Sequence, residues 1–436
     1  MVSESGIGAG MVAGASIFWH SFGTGRSVML ALRCNYRVLA PMTSFDAQLT
    51  MAACLPVDAA DAILIGRAWV PAVNGPVVVG VRGDDLVDLS ALSPTSSALV
   101  NRPDAAGAIR AAATLPRIDS LAAALRNTAE STRDATRPWL LAPCDLQAIK
   151  AAGVTFVASM LERVIEEQAR GDAARAEGVR RAIVAIIGDN LSSVRPGSVE
   201  AAHLKEVLIK QNAWSQYLEV GIGPDAEIFT KAQPMSAVGT GADIGIHPKS
   251  EWNNPEPEIV LAIDRAGRVA GATLGNDVNL RDFEGRSALL LGKAKDNNAS
   301  TAIGPFIRLF DAHFTIDDVR AAQLAMRVEG PDGFTLDGFS SMAMISRDPL
   351  DLAGQAIGPH HQYPDGLMLY LGTMFAPTKD RHGPGQGFTH MVGDVVTVAT
   401  PKLGALVNRV EHTDRIAPWT FGAGDLMLSL TQRRLL

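Results

Sequence analysis

The stretch WNNPEPEIVLAIDRAGRVAGATLGNDVNLRDFEGRSALLLGKAKDNNASTAIGP, residues 252–305, combines two strand-like apolar runs with acidic and turn-forming residues. Glu256 and Glu258 stand one residue apart just before the apolar run Ile259 to Ile263. Alternate side chains of an extended strand project to the same face, so both carboxylates face the same way. Asp277 follows the second run at a Gly-Asn turn, where it can close against the pair. The stretch therefore predicts three converging carboxylates.

Three carboxylates that converge repel one another unless a cation lies between them. A ligand set made only of oxygen suits hard cations such as Mg2+, Mn2+ or Ca2+. A lone Glu-x-Glu is usually a solvated strand face, but this pair lies between prolines and an apolar strand, with Asp277 and Lys295 downstream. Zinc would need histidine ligands near the carboxylates, and the adjacent His360 and His361 lie in a distant loop. We therefore expect a divalent-cation site with a lysine beside it.

Composition excludes several classes of protein. The 436 residues are 47% hydrophobic and 19% charged, as in a globular protein with a large core, and the net charge is -7. No Lys/Arg cluster interleaved with aromatic residues indicates a nucleic-acid partner. The apolar run Ile7 to Trp19 is shorter than the ~20 residues that span a membrane, and no basic segment precedes it. Cys34, Cys54 and Cys144 are odd in number and widely spaced, which disfavours a disulfide framework and favours a reducing cytoplasm.

The pattern along the chain predicts an α+β, β-rich protein with three parts. Residues 1–54 have no clear period and are expected to be a poorly defined N-terminal extension. Residues 55–142 show hairpin patterns and are expected to form a small β-rich domain, followed by a main domain over 143–436. After Gln211 strand-like runs dominate, and Trp214 to Val220 is predicted to be the first of them.

A helix is predicted at the start of the main domain. Apolar residues recur with helical spacing from Met160 to Ile165, while Glu162, Glu166 and Glu167 take the other side. A row of glutamates on one side of a helix is usually solvated. We therefore expect Glu166 and Glu167 on the surface.

Several segments in a fixed order carry a resemblance to a known superfamily. NPEPEIVL, GATLGNDVNLRDFEG, KAKDNNASTAIGP, YLGTMFAP and GDVVTVATPKLGALVNRV resemble the fumarylacetoacetate hydrolase superfamily from about Ala62 to the C-terminus. IKAAGVTF, WSQYLEVGIGPDAEIFTK and PWTFG look like its 2-keto-3-deoxy-D-pentonate dehydratases. The resemblance implies a mixed β-roll catalytic domain behind a small N-terminal β domain. It also implies a homodimer or higher homo-oligomer.

The resemblance assigns roles to single residues. Glu256, Glu258 and Asp277 match the metal ligands of the superfamily, where the cation is usually Mg2+ and Mn2+ is a possible substitute. Lys295 matches the catalytic lysine, although an alignment on Lys293 competes with it. The positions that match the substrate pocket are Lys231, Arg281, Gly372, Thr373, Thr155, Phe156 and Ser159.

Two departures from the superfamily pattern bear on the reaction. Hydrolytic relatives place a histidine on a lid segment with a glutamate three residues on, and this chain has Ser159 and Glu162 there. Without the histidine, attack by water on a ketone lacks its general base. Glu162 remains, and in a closed site we expect it to act as an acid or base with a raised pKa. Thr155 stands where an additional aspartate ligand is found, so three protein carboxylates are expected on the cation.

These features favour a hydro-lyase. The predicted reaction converts a 2-keto-3-deoxy-D-pentonate to 2,5-dioxopentanoate through a metal-stabilised enolate, with Lys295 as base and Glu162, or a water it holds, as proton donor. The alternatives are a C-C hydrolase of a 2,4-diketo acid and a keto-acid binding protein without turnover. The sequence leaves open the C4 stereochemistry of the substrate. It also leaves open whether the substrate derives from xylonate or arabinonate, since both give the same 2-keto-3-deoxy acid when they share the C4 configuration.

Overall fold

Two β-sheets and the helices packed on them form the structure, a computed structural model. It describes residues 45–172, 174–176, 178–181, 194–210, 214–375 and 377–436, apart from the side chain of Ala158. The strands are β1 Leu64–Val70, β2 Gly75–Arg82, β3 Asp85–Asp88, β4 Arg117–Ser120, β5 Trp139–Leu141, β6 Ala148–Ala152, β7 Ile228–Ala232, β8 Asp243–Ile246, β9 Asn253–Asn254, β10 Pro257–Ile263, β11 Val269–Asp277, β12 Asn279–Leu280, β13 Thr301–Leu309, β14 Gln323–Glu329, β15 Thr335–Ser341, β16 Leu367–Tyr370, β17 Val395–Thr400 and β18 Gly404–His412. The α-helices are α1 Phe45–Gln48, α2 Met51–Cys54, α3 Ser96–Val100, α4 Ala105–Ala111, α5 Leu121–Arg126, α6 Val157–Ala169, α7 Val199–Lys210, α8 Gln216–Ile222, α9 Arg281–Glu284, α10 Leu291–Lys295, α11 Ile316–Arg320, α12 Pro349–Ala356 and α13 Ala423–Gln432.

The larger sheet runs in the order β4-β3-β2-β1-β13-β11-β10-β16-β6-β7, with β5 paired to β1. The smaller sheet has the order β15-β14-β17-β18-β8, and β9 pairs with β12. Most neighbours are antiparallel, while β16 with β6 and β18 with β8 are parallel. Strands from both predicted domains share the larger sheet, and the boundary between 142 and 143 stays a prediction.

The central strand β10 is buried on both faces, which explains its continuous apolar run. Ile259, Leu261 and Ile263 point into a core shared with the smaller sheet. Val260 and Ala262 point into a second core on the opposite face. Since alternate residues of a strand face opposite sides, Glu258 lies on the face of the second core, at its end.

Helix α6 covers that end of the sheet. Met160, Val164 and Ile165 bury an apolar stripe against α8 and Trp252, as the helical spacing predicts. The helix ends at Arg170, which has a left-handed backbone with φ of 57°, followed by Gly171. The predicted helix is therefore confirmed in this part of the chain.

The predicted strand Trp214 to Val220 is wrong, because this segment forms α8. The Ser215 side chain accepts a hydrogen bond from the Tyr217 backbone N–H and caps the helix. The buried residues Tyr217, Leu218 and Ile222 then recur with helical rather than alternating spacing. Short apolar runs of this kind fit either element, and here the cap and the packing against α6 decide.

The described part of the chain starts with α1 and α2. Leu49, between the two helices, and Cys54 of α2 are fully buried against the sheets. Residues 1–44 of the predicted extension lie outside the described residues. Cys54 and Cys144 are free thiols, and burial raises the pKa of each to about 12. Among the described residues, the helices are all too short or too polar to cross a lipid bilayer.

Candidate active site

The three predicted carboxylates converge where β10 and β11 meet. Asp277 donates its backbone N–H to the Glu256 carbonyl over 2.9 Å, and Glu258 pairs with Gly275 on the next row. The three side chains are 2% exposed or less, and their nearest oxygens lie within 4.8 Å of one another. A buried donor set made only of carboxylate oxygens fits a hard divalent cation.

Two lysines reach this triad. Lys295, the last residue of α10, donates from Nζ to Glu256 Oε2 at 2.5 Å and to Asp277 Oδ2 at 3.0 Å. Lys231 Nζ, from β7, lies 3.0 Å from Asp277 Oδ1 and donates to the Lys295 carbonyl. The competing Lys293 instead lies over the ring of Phe283, 5.5 Å from its centre. The structure therefore brings Lys295, and not Lys293, to the carboxylates.

The triad carboxylates and Lys295 shift the pKa values of one another. Burial alone would lower the pKa of Lys295, but the carboxylates of Asp277 and Glu256 hold it above its usual range. A divalent cation held by the same carboxylates would act in the opposite direction and lower the pKa of Lys295. Burial and the neighbouring carboxylates of Asp277 and Glu256 raise the pKa of Glu258. Arg163 and Lys295 overcome the effect of burial on Glu256 and lower its pKa to about 2.

Arg163 of α6 is a site residue that the sequence reasoning missed. Its guanidinium bonds to a Glu256 oxygen and to Glu166 Oε2 at 2.6 Å, and lies 3.5 Å from Glu284. Glu166 is 1% exposed, so the prediction that it lies on the surface is wrong, whereas Glu167 is partly buried. The reason is that α6 presents Arg163 and Glu166, three residues apart, to α9 and the triad.

Arg281 and Glu162 belong to the same ion network. Arg281 donates to Glu166 Oε1 at 2.6 Å and to Glu162 Oε2 at 3.1 Å, with its guanidinium 4.3 Å from the centre of the Trp252 ring. Burial acts to raise the pKa of Glu162, yet Arg180 and Arg281 outweigh it and lower that pKa. The raised pKa expected for Glu162 is therefore wrong.

The predicted Gly-Thr position lies directly after β16. Gly372 donates its N–H to Glu258 Oε2 at 2.7 Å, and its φ is 99°. A Cβ there would lie 2.0 Å from Thr155 Oγ1, so both backbone and space require glycine. Thr155 Oγ1 donates to the Leu371 carbonyl at 2.6 Å, and Thr373 Oγ1 donates to the Phe375 carbonyl at 3.1 Å.

Ser159 and Phe156 lie at the beginning of α6. Ser159 Oγ donates back to the Phe156 carbonyl at 2.9 Å, and the Phe156 side chain packs in the core between the two sheets. Both are buried, and the contact of Ser159 is with the helix backbone.

Glu227 is a second residue that the sequence reasoning missed. Gly153 donates its N–H to the Glu227 carbonyl at 3.1 Å, next to the pair Ala152 and Ile228 of β6 and β7. A Cβ on Gly153 would lie 1.8 Å from Glu227 Oε2, so the carboxylate rests on this glycine. Burial, with Glu284 nearby, raises the pKa of Glu227 to about 7.

One row of residues crosses the sheet from the triad to Glu227. The β10, β16, β6 and β7 registers place Glu258, Gly372, Gly153 and Glu227 in line on one face. Three strand spacings separate the ends by ~14 Å between backbones, and the two positions between them are glycines. Phe229, two residues beyond Glu227, lies on the same face under Lys295, whose Nζ is 5.7 Å from the ring centre. Glu227 therefore lies on the same side of the sheet as the triad, where the charges of Lys295 and Glu256 act on its carboxyl.

Comparison with curated proteins finds related sugar-acid dehydratases. Over 194 residues the chain is 29% identical to a protein named probable 2-keto-3-deoxyxylonate dehydratase from Haloferax volcanii, covering 44% of this chain and 63% of that protein. Over 190 residues it is 27% identical to the 2-dehydro-3-deoxy-D-arabinonate dehydratase of Saccharolobus solfataricus, covering 44% and 60%. The chain thus aligns with about three fifths of the length of these relatives. No protein family model matches it.

Comparison with solved structures finds the same fold in a 2-keto-3-deoxy-D-arabinonate dehydratase complexed with magnesium and 2,5-dioxopentanoate. The TM-score is 0.55 at 18% identity, over 81% of this chain and 100% of that one. The apo form matches equally, over 80% and 99%. The β-rich fold expected from the sequence is thereby confirmed: this chain shares the fold of a 2-keto-3-deoxy-D-arabinonate dehydratase, and the two sequence relatives are named as 2-keto-3-deoxypentonate dehydratases.

Proposed function

We propose that the protein is a Mg2+-dependent hydro-lyase that converts a 2-keto-3-deoxy-D-pentonate to 2,5-dioxopentanoate. The observation that carries the proposal is the buried triad of Glu256, Glu258 and Asp277 with the amine of Lys295 on it. The names of its sequence relatives, and the magnesium and dioxopentanoate bound by a protein of the same fold, support this reaction.

The charge balance of the site supports a divalent cation. Among the described residues, the cluster holds more carboxylates than cationic side chains, even with the carboxyl of Glu227 counted as neutral. The members are Glu162, Glu166, Glu227, Glu256, Glu258, Asp277 and Glu284, with Arg163, Arg180, Lys231, Arg281 and Lys295. Mg2+ held by the triad would polarise the keto oxygen and favour loss of a C3 proton, and Mn2+ is proposed as a substitute.

Lys295 is placed to take the C3 proton. A keto acid that sits on the triad has its C2 and C3 atoms beside the Nζ that contacts both Glu256 and Asp277. Lys231 holds Asp277 from the other side and fixes the Lys295 backbone, so it positions both groups. Gly372 keeps Glu258 oriented through its N–H.

The leaving C4 hydroxyl needs a proton, and we propose Glu227 rather than Glu162 as its source. Glu162 is held by two arginines that keep it ionised, which makes it a poor donor. Among the described residues, no arginine forms an ion pair with Glu227; its carboxylate lies over Gly153, and burial raises its pKa to about 7. An acid whose pKa lies near the working pH is the better proton donor.

The two alternatives fit the site less well. A C-C hydrolase needs a base for water where the chain has Ser159, whose hydroxyl is turned to the helix backbone. A binding protein without turnover needs neither the lysine amine on the triad nor the nearby carboxyl of Glu227, whose pKa is raised to about 7. Cytoplasmic location and a homodimer or higher homo-oligomer remain part of the proposal, and light scattering after size exclusion tests the second.

A direct assay tests the reaction. Purified protein with Mg2+ and 2-keto-3-deoxy-D-xylonate should form 2,5-dioxopentanoate, and chelation of the cation should stop the reaction until Mg2+ is restored. Its C4 epimer, a 2-keto-3-deoxy-L-pentonate, and an acylpyruvate are run in parallel. Release of pyruvate from the acylpyruvate, with no dioxopentanoate from either sugar acid, would overturn the proposal in favour of hydrolysis.

A further inference from the structure

We propose that the side chains of Asn254 and Asn279, called here the amide pair, bind the C5 hydroxyl of the substrate and so set its specificity. This inference rests on the proposed function and deepens it. It assigns a hydroxyl-binding subsite to two residues outside the predicted site, one strand row away from the triad.

The strand register places the amide pair beside the triad. Asn279 pairs with Asn254 in the β9–β12 ladder, Asp277 meets Glu256 on the next row, and Glu258 meets Gly275 after that. The antiparallel register is continuous across these three rows, because the two paired residue numbers add up to the same value in each row. Since alternate residues share a face, the amides and the carboxylates face the same side.

Contacts on both sides of the amide pair support the same orientation. Val278, between Asp277 and Asn279, packs into the core on the opposite face of the sheet. Two residues beyond the pair, Arg281 stacks on Trp252 and bonds to Glu166 of α6. Three residues before Glu166, Arg163 of α6 bonds to Glu256. The amide pair therefore lies under α6, between its attachment to Arg281 and its attachment to the triad.

The amide pair has unmet hydrogen-bonding capacity. Asn254 is 1% exposed and Asn279 is fully buried. Asn254 Nδ2 donates to the Pro255 carbonyl at 2.9 Å, but Asn254 Oδ1 and both polar atoms of the Asn279 amide lack a partner. Leaving buried amide atoms unpaired is costly, so such atoms usually meet a ligand or an ordered water. A hydroxyl can accept a hydrogen bond from the Asn279 amide N–H and donate its own proton to one of the two amide oxygens.

The spacing fits a five-carbon acid. Rows two residues apart along a strand are ~7 Å apart. An extended chain of single bonds advances ~1.2 Å per bond, so the C5 oxygen lies ~5 Å from the keto carbon. The asparagine side chains extend over the distance that remains between the C5 oxygen and the row of the amide pair. A keto group on the triad thus brings the C5 hydroxyl, and not the carboxylate, to the amide pair.

A comparison of two substrates tests the subsite. 4-Hydroxy-2-oxopentanoate keeps the keto acid and the leaving hydroxyl but lacks the C5 hydroxyl, and its dehydration gives 2-oxopent-3-enoate. The wild-type protein should prefer 2-keto-3-deoxy-D-xylonate over this analogue by at least ~100-fold in kcat/KM, because the analogue leaves the amides unpaired. Asn279→Leu and Asn254→Leu should bring this ratio close to one by slowing the xylonate-derived substrate alone.

Asn253 offers a matched control in the same short ladder. Its amide is already paired, with Nδ2 donating to Ser250 Oγ at 3.2 Å and Oδ1 accepting from the His390 N–H at 3.3 Å. Asn253→Leu should leave the substrate ratio as in the wild type even where it lowers the yield of folded protein. Asn279→Ser is a smaller polar change that can be tested if a leucine variant does not fold. It should lower the kcat/KM ratio of the two substrates to a value between that of the wild type and one.

The outcomes separate the subsite from the reaction. A wild-type ratio near one, or amide-pair variants that slow both substrates equally, would overturn the subsite while leaving the dehydration intact. Failure of the wild-type protein to dehydrate either compound would instead overturn the proposed function.

Discussion

Replacement of Lys295 should slow turnover without weakening cation binding. Lys295→Ala removes the amine proposed to take the C3 proton, so kcat should fall at least ~100-fold. The three carboxylates stay in place, and loss of a neighbouring positive charge does not weaken their attraction for a cation. Mg2+ affinity measured by calorimetry should therefore be retained.

Lys293→Ala is the control for this prediction, because Lys293 lies over Phe283 and away from the triad. It should keep near wild-type activity. An inactive Lys293→Ala beside an active Lys295→Ala would mean that the base is the other lysine.

Glu227 should matter for departure of the hydroxyl but not for removal of the C3 proton. Glu227→Gln should lower the dehydration rate at least ~100-fold. Exchange of the C3 protons with deuterated solvent, followed by NMR, should persist because Lys295 remains. Glu167→Gln, on the surface side of α6, is the control and should alter neither rate.

The same role predicts a pH dependence. The pKa of Glu227 is raised to about 7, so the carboxyl carries its proton below that pH and loses it above. The wild-type dehydration rate should decline as the pH rises through about 7. A Glu227→Gln enzyme whose residual rate declines in the same way would contradict the assignment.

The elements around the site differ in how well the sequence predicts them. Glu256, Glu258, Asp277 and Lys295 were predicted because one hairpin and the helix after it carry them, and local alternation is enough to bring them together. Glu227 and the amide pair depend on pairing between distant strands, for which the sequence gives no register.

Arg163 and Glu166 show a different limit. A helix pattern indicates which side is apolar, but it does not show that the polar side of α6 packs on α9 and the triad. The alternation of polar and apolar residues in Arg163 to Glu167 is equally consistent with a solvated face. Spacing of a cation and an acid by three residues was the available signal, and it is common on surfaces.

Replacement of Arg163 should weaken the packing of helix α6 on α9 and the triad. Arg163→Met leaves Glu166, Glu256 and Glu284 without their shared buried counter-charge, which should lower the free energy of unfolding by about 3 kcal/mol. Urea denaturation in the presence of a chelator measures this loss. Arg180→Met removes a partly exposed cation from Glu162 and should cost less than ~1 kcal/mol. Equal costs for the two variants would contradict the assigned role of Arg163.

At the scale of the whole molecule, Asp58 ties the segment after α2 to both sheets. Its carboxylate accepts from Arg308 of β13 at 2.6 and 2.9 Å and from Lys402, between β17 and β18, at 2.8 Å. Burial acts to raise the pKa of Asp58, but these two cations lower it from 3.8 to about 2. A lowered pKa means that folding favours the ionised form, so the contribution is present above pH ~4 and is lost as the pH falls toward 2.

Asp58→Asn should therefore lower the free energy of unfolding by about 2 kcal/mol at pH 7. The difference from wild type should shrink between pH 4 and pH 2, as measured by urea denaturation across this range. Asp61→Asn, at an exposed position nearby, should show neither effect. A difference that stays constant with pH would contradict the ion pair as its cause.

Strand β7 ends the larger sheet and is paired there with β6, yet Phe229 and Lys231 of β7, and Glu227 just before it, lie on the side of the triad. An edge strand is held from one side and opens more readily than the centre of a sheet. Partial detachment of β7 would withdraw the proton donor and the Asp277 partner together while the cores stay intact. Heat inactivation should therefore occur below the melting temperature, and a ligand that bridges β7 to the triad should protect activity more than it protects the fold.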